Sequence, residues 1–219
     1  MISEQQREFI ELMIDSEVLL FGSFVTKSGR TSPYFVNTGK YKTGRQVELL
    51  GRFYADTIVS SLSGEFDCMF GPAYKGIPLA TATACALYAR HGIDKPYFFN
   101  RKEAKDHGEG GVLVGYQPRD GDRVIIIEDV ITAGTNLRAN MPLLMAAAKL
   151  DVTDMFISVD RCEVGVNGAT AVAEVAEEFG ITVHPIVTVP DILEYLKDRA
   201  EYAEFVPKMQ EYMAQYCVL

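Results

Sequence analysis

The chain has 219 residues, 48% of them hydrophobic, and a formal net charge of −9. This is enough for a single domain with a full core, and it excludes a disordered polymer. The acidic balance argues against non-specific binding to nucleic acid or to an anionic membrane, since both need a basic surface.

In chain order, Ser3 to Ile14 reads as an amphipathic helix with Ser3 as its cap. Leu19 to Val36 reads as short strands and turns around Lys27-Ser28-Gly29-Arg30. Gly44 to Ser61 is expected to be a helix, with Val47, Leu50, Tyr54 and Ile58 on one side. Phe66 to Phe70 reads as a short buried strand, Ile77 to Arg90 as a helix and Tyr97 to Asn100 as a strand. Arg101 to Gly111 has almost no apolar residues and three glycines, so it reads as a mobile loop. A strand at Arg123 to Ile127 leads into a helix ending near Lys149. Asp154 to Val159 (strand), Ala169 to Phe179 (helix) and Ile181 to Val187 (strand) follow. Helices over Asp191–Lys197 and Ala200–Tyr216 close the chain. Strands alternate with helices from about residue 44 onward, the pattern of an α/β, doubly wound, mostly parallel sheet. Such sheets bind ligands beyond the carboxyl ends of their strands.

The N-terminal segment Met1 to Glu8 is polar and lacks a signal-peptide core. No apolar run is long enough to span a bilayer, so the cytoplasm is the expected compartment. Cys68, Cys85, Cys162 and Cys217 are widely spaced without a Cys-x-x-Cys pair, which fits free thiols better than disulfides or zinc. His91 and His184 stand in no motif and read as structural or surface residues.

The most informative run is Val124-Ile125-Ile126-Ile127-Glu128-Asp129-Val130-Ile131-Thr132-Ala133-Gly134-Thr135-Asn136. Its β-branched start suits a central strand buried on both faces. Two carboxylates follow at the strand end, then small and hydroxyl residues, then a helix start. A helix N-terminus offers free N–H groups and the positive end of the dipole to a phosphate. Glu128 and Asp129 repel phosphate, but they suit sugar hydroxyls as acceptors. No Gly-Lys-Ser/Thr is present, so this is not a Walker loop.

Four further motifs fall at strand ends or in loops. Gly71-Pro72-Ala73-Tyr74-Lys75-Gly76-Ile77-Pro78 follows a strand and opens a helix, which suits a second anion. Arg101, Lys102, Lys105 and His107 concentrate positive charge in one glycine-containing stretch of an acidic chain; closing such a stretch over a charged leaving group excludes water and strengthens electrostatics. Arg161 ends a strand, and its planar fork matches a carboxylate in two hydrogen bonds. Phe24 to Asn37, taken alone, reads as a β-hairpin with a Lys-Ser-Gly turn.

Residues 124–136 resemble the phosphoribosyl-pyrophosphate (PRPP) motif of the type I phosphoribosyltransferases: four apolar residues, two acids and a Thr-Gly-Thr-type loop, with Glu128 where many members have Asp. Residues 101–111 resemble the catalytic loop, and residues 24–37 the N-terminal hood, of the orotate phosphoribosyltransferases in particular. The resemblance runs from about residue 20 to about residue 165, and its motifs agree in order. It implies a type I fold in one domain, with about 1–43 and C-terminal parts forming a hood, about 44–190 forming the core, and a flexible catalytic loop.

The implied reaction joins orotate to PRPP, giving orotidine 5′-phosphate and pyrophosphate in pyrimidine nucleotide synthesis. Glu128 and Asp129 would hold the ribose. Val130, Ile131, Thr132, Ala133, Gly134, Thr135 and Asn136 would bind the 5′-phosphate side of PRPP. Tyr74 and Lys75 would meet its pyrophosphate, together with Arg101, Lys102, Lys105 and His107, and Lys27 would reach PRPP from the hood. Phe35, Val36, Thr132 and Arg161 would contact orotate, Val36 standing where an aromatic residue is common. Lys105, His107 and Asp129 are the implied catalytic residues. Magnesium would be held mainly through PRPP, with few or no direct protein ligands. A homodimer follows if the loop serves the partner's site. Two alternatives stay open: transfer to another base such as a purine, and a PRPP-sensing regulator without catalysis.

Overall fold

A computed structural model describes residues 1–26, 29–105, 111–131, 134–165 and 167–218, except the side chains of 103–105. The frame of the molecule is a six-stranded sheet, and its middle is set by the apolar run at residues 124–127. Strand β6 (Arg123–Ile127) lies between β3 (Cys68–Phe70) and β7 (Asp151–Asp160), parallel to both. Val124, Ile125, Ile126 and Ile127 are fully buried. Alternation sends Ile125 and Ile127 into one apolar cluster and Val124 and Ile126 into the other. Each such side chain contributes roughly 1.5–3 kcal/mol of burial, which leaves β6 no stable position at an edge.

The strand order is β5-β4-β3-β6-β7-β8, with β4 at Tyr97–Lys105, β5 at Gly111–Gly115 and β8 at Thr182–Thr188. All neighbours are parallel except β4 and β5. Helices α1 (Glu4–Asp15), α2 (Gly44–Ser61), α3 (Gly76–His91), α6 (Val189–Lys197) and α7 (Phe205–Tyr216) supply buried residues to one cluster. Helices α4 (Thr135–Ala147) and α5 (Ala171–Phe179) supply the other. A separate antiparallel pair, β1 (Leu19–Val25) and β2 (Thr31–Val36), precedes this frame. Among the described residues no helix is long and apolar enough to cross a membrane.

Two elements differ from the sequence-based expectation. Residues 101–105, read as part of a mobile loop, continue β4, and Gly111 already belongs to β5. Asn100 pairs with Leu113, and Lys105 with Gly111. An edge hairpin is held by its ladder of backbone hydrogen bonds and needs no apolar face, so a charged composition does not forbid it. The last helix is also shorter than expected: a 3₁₀ turn at Ala200–Tyr202 precedes α7.

Candidate active site

The acidic pair sits where β6 gives way to loop. The chain stays tied to β7 beyond the strand end: Glu128 N–H donates to the Phe156 carbonyl at 3.0 Å, and Ser158 N–H donates to the Asp129 carbonyl at 2.8 Å. Tyr54, on the buried face of α2, donates its hydroxyl to the Glu128 carbonyl at 2.6 Å and shares a 2.8 Å hydrogen bond with Ser158. These contacts fix the backbone and leave the two carboxylates to other partners.

Both side chains are nearly buried, Glu128 at 5% exposure and Asp129 at 7%. Asp129 Oδ2 accepts from Lys75 Nζ at 2.7 Å and from Thr38 Oγ1 at 2.5 Å. Lys75 also donates to Thr38 Oγ1 at 2.9 Å. Glu128 Oε1 accepts from the Asp129 N–H at 3.0 Å, and its Oε2 accepts from the Asn136 amide. Burial pushes the Glu128 carboxyl up, and the neighbouring Asp129 charge pushes it further. Burial alone would also raise Asp129, but the hydrogen bonds from Lys75 and Thr38 outweigh it and hold that carboxyl below its ordinary value. The lysine thus neutralises Asp129, while Glu128 is left to a backbone N–H and an amide, in a site rich in acceptors.

Two helix N-termini stand beside this pair. Helices α1, α2, α5 and α6 satisfy their first turns with Ser3, Thr43, Thr170 and Thr188. α3 and α4, like α7, begin without a side-chain cap. α4 starts from Gly134 in the left-handed region (φ 66°), where a Cβ would lie 2.6 Å from Val175 Cγ2. Only glycine fits that turn. The loop before α3 folds tightly as well: a Cβ on Gly71 would lie 2.3 Å from the Gly76 carbonyl oxygen. Asn100 Oδ1, on β4, accepts from the Ala73 N–H at 2.8 Å and fixes that loop from the side.

A cleft of about 660 Å³ gathers Asn100, Arg101 and Lys102 with Glu128, Val130, Ile131, Gly134, Thr135 and Asn136. Lys75 and Asp129 line a smaller adjoining cavity of about 160 Å³ with Thr38. Lys102 Nζ stands 4.7 Å from the ring centre of Tyr74, which projects into solvent at 68% exposure. The structure therefore brings the described residues among those expected to hold PRPP to the carboxyl end of the sheet. Arg161 lines neither cavity; it stands one strand over, just beyond β7, at the same end. Phe35 lies on the opposite face of β2 from Tyr34 and stacks on Phe24 with ring centres 5.5 Å apart, whereas Val36 packs against the core. Lys27, His107, Thr132, Ala133 and the side chain of Lys105 lie outside the described residues. His91 pairs with Asp56, and His184 with Asp154, each at 2.7 Å.

Sequence reasoning did not single out Thr38, Tyr54 or Asn100. Asn100 carried a signal, a polar residue closing the apolar run Tyr97-Phe98-Phe99. Tyr54 carried none, because its pattern is that of any core tyrosine. Among the described residues no three His, Cys, Asp or Glu side chains cluster as a metal cage. The pair of oxygen donors next to a cleft suits magnesium that arrives with a phosphate ligand.

Comparison with known proteins agrees with this geometry. Residues 37–161 match the family described as the phosphoribosyl transferase domain. The orotate phosphoribosyltransferase of Clostridium acetobutylicum is 50% identical over 195 residues, covering 89% of this chain and 87% of that protein. That of Salmonella arizonae is 49% identical over 213 residues, covering 97% and 98%. The crystal structure of orotate phosphoribosyltransferase from Francisella tularensis superposes with a TM-score of 0.86 at 35% identity, covering 96% of this chain and all of that one.

Proposed function

The chain belongs to the orotate phosphoribosyltransferases, enzymes that move the 5-phosphoribosyl group from PRPP to orotate on the way to UMP, and on that premise we propose how its residues divide the work. The observation that carries the assignment is the meeting, on one sheet edge, of a buried acidic pair with two uncapped helix N-termini. An anion at each helix and hydroxyls between them describe a sugar with phosphate groups at both ends.

The reaction displaces pyrophosphate from the anomeric carbon, and positive charge develops on the ribose ring. Asp129 and Glu128 accept hydrogen bonds from the ribose hydroxyls and stabilise that charge. The first turn of α4, with Thr132 and Thr135, takes the 5′-phosphate. Lys75 leaves Asp129 for the pyrophosphate, and Arg101, Lys102, Lys105 and His107 neutralise the leaving group as charge accumulates on it. Phe35, Val36 and Thr132 flank the base, and Arg161 faces its carboxylate. The attacking ring nitrogen of orotate is acidic enough to need little base catalysis. Magnesium carried in with PRPP would be held beside Asp129 and Glu128 and would supply charge neutralisation for the leaving group. The loop of one subunit serves the site of the other in a cytoplasmic homodimer.

The test is orotate consumption followed by ultraviolet absorbance, with PRPP and magnesium, against adenine, hypoxanthine and uracil. Loss specific to orotate and dependent on both additions is expected. No loss with any base, despite measurable PRPP binding, would turn the reading toward a regulator. Lys105→Ala should lower turnover far more than it weakens PRPP binding, and near-normal turnover would remove the role given to the loop.

A further inference from the structure

Arg161 is the residue given to the orotate carboxylate, and its own partners form a cluster that the reaction does not yet use. Its Nε and Nη2 both donate to Glu163 Oε1, at 3.0 and 2.5 Å. Its guanidinium carbon lies 5.0 Å from the ring centre of Tyr34. The same Oε1 accepts from the Tyr34 hydroxyl at 3.2 Å and from the Tyr212 hydroxyl at 2.8 Å. Glu163 Oε2 faces Arg30 Nη1 at 3.8 Å, and Arg30 Nη2 donates to the Val164 carbonyl at 3.0 Å. Burial pushes both phenols up and outweighs the opposing charge of Arg161, with Glu163 adding to the rise, so they remain protonated donors. One carboxylate therefore joins β2, the segment after β7, and α7.

The geometry leaves Arg161 oriented but not used up. A guanidinium presents five N–H groups in a rigid plane. Glu163 takes the side edge formed by Nε and Nη2, and the Tyr34 ring fixes the plane from its face. The end edge, formed by Nη1 and the outer N–H of Nη2, is not engaged by these contacts. The charge count also favours an anion: two guanidiniums surround one carboxylate, so the cluster keeps a net positive charge. We propose that Glu163 is the positioning residue for orotate, holding Arg161 with its end edge toward the substrate carboxylate, and that α7 takes part through Tyr212. This inference rests on the assignment of Arg161 to the base carboxylate.

Steady-state kinetics of the full-length enzyme test it, with each substrate varied at saturating levels of the other. Glu163→Gln keeps the shape and removes the charge. It should raise the orotate KM about tenfold, the scale of one charge-assisted hydrogen bond. The PRPP KM should change much less, and kcat should fall by less than the orotate KM rises. Tyr212→Phe removes one donor and keeps the ring, so it serves if Glu163→Gln folds poorly; a smaller rise confined to orotate is expected. In an Arg161→Ala background, Glu163→Gln should add no further loss. An orotate KM that is unchanged or lower in both variants, or an equal rise in both KM values, overturns the proposal. If Arg161→Ala itself leaves the orotate KM unchanged, the assignment of Arg161 has failed. If Arg161→Ala raises it while Glu163→Gln and Tyr212→Phe do not, only the role of Glu163 has failed.

Discussion

The ends of β6 and β7 solve opposite problems a single strand apart. Beyond β6, two acids stand beside one lysine, which pairs with Asp129, and the side-chain donors to that carboxylate are Lys75 and Thr38. Beyond β7, two arginines surround one carboxylate. The first cluster pairs one carboxylate with one lysine and holds its second acid, Glu128, toward the neutral form by burial, whereas the second has surplus positive charge and spare donors. In the proposed division of work, the end of β6 serves a neutral polyhydroxyl sugar and the end of β7 an anionic base beside it. The two are also built differently. The acidic pair is carried by the core strand itself, while the arginine cluster is assembled from β2, the turn after β7 and α7.

Breaking the acidic cluster should have the largest effect. Asp129→Asn removes the charge that faces the developing positive ribose, and kcat should fall on the order of 10²–10³-fold, with the fold retained by circular dichroism. A loss below about tenfold would place the stabilising charge elsewhere. Arg161→Lys probes the other cluster. It keeps the charge but loses the planar fork, so the orotate KM should rise about tenfold while the PRPP KM stays near its starting value. An equal rise for PRPP would mean that the two clusters do not divide the substrates.

The smallest effect concerns stability, and it separates the two acids of the first cluster by sign. The folded-state pKa of Glu128 is raised by burial and by Asp129, so the native state binds more protons than the unfolded state in the window above the ordinary carboxylate value. Wild-type stability measured without substrates should therefore fall as pH rises across that window. Glu128→Gln should be more stable than wild type above the window, by on the order of 1 kcal/mol. The gap should close as pH falls and Glu128 takes up its proton. Urea unfolding at several pH values reads this directly, and a variant less stable at every pH would show that Glu128 contributes structurally. At Asp129 the sign reverses: its lowered pKa contributes stability above the ordinary carboxylate value, and that contribution is lost as acid protonates it.

Much of this was legible in the residues. The helix expected over Gly44–Ser61 has those bounds, because its apolar period and its Thr43 cap agree. The run at 124–127 declared a central strand because four consecutive β-branched residues have no half-exposed solution. The acidic pair declared a site because two adjacent carboxylates at the end of such a strand are costly without a partner. The 101–105 strand was not legible. Pairing across an edge hairpin is a property of two segments, and its charged side chains announce no buried face.

What sequence alone determined, then, is where the chain must bury itself and where the glycine turns before α3 and α4 fall, since both follow from periodicity and local backbone chemistry. Which residues complete the charges was decided by tertiary structure. Thr38 reaches Asp129 across 91 positions, and Tyr34 reaches Glu163 across 129. No local pattern encodes such contacts. Electrostatic balance in a nearly buried site depends on every group within a few ångströms, and the fold, not the order of residues, brings those groups together.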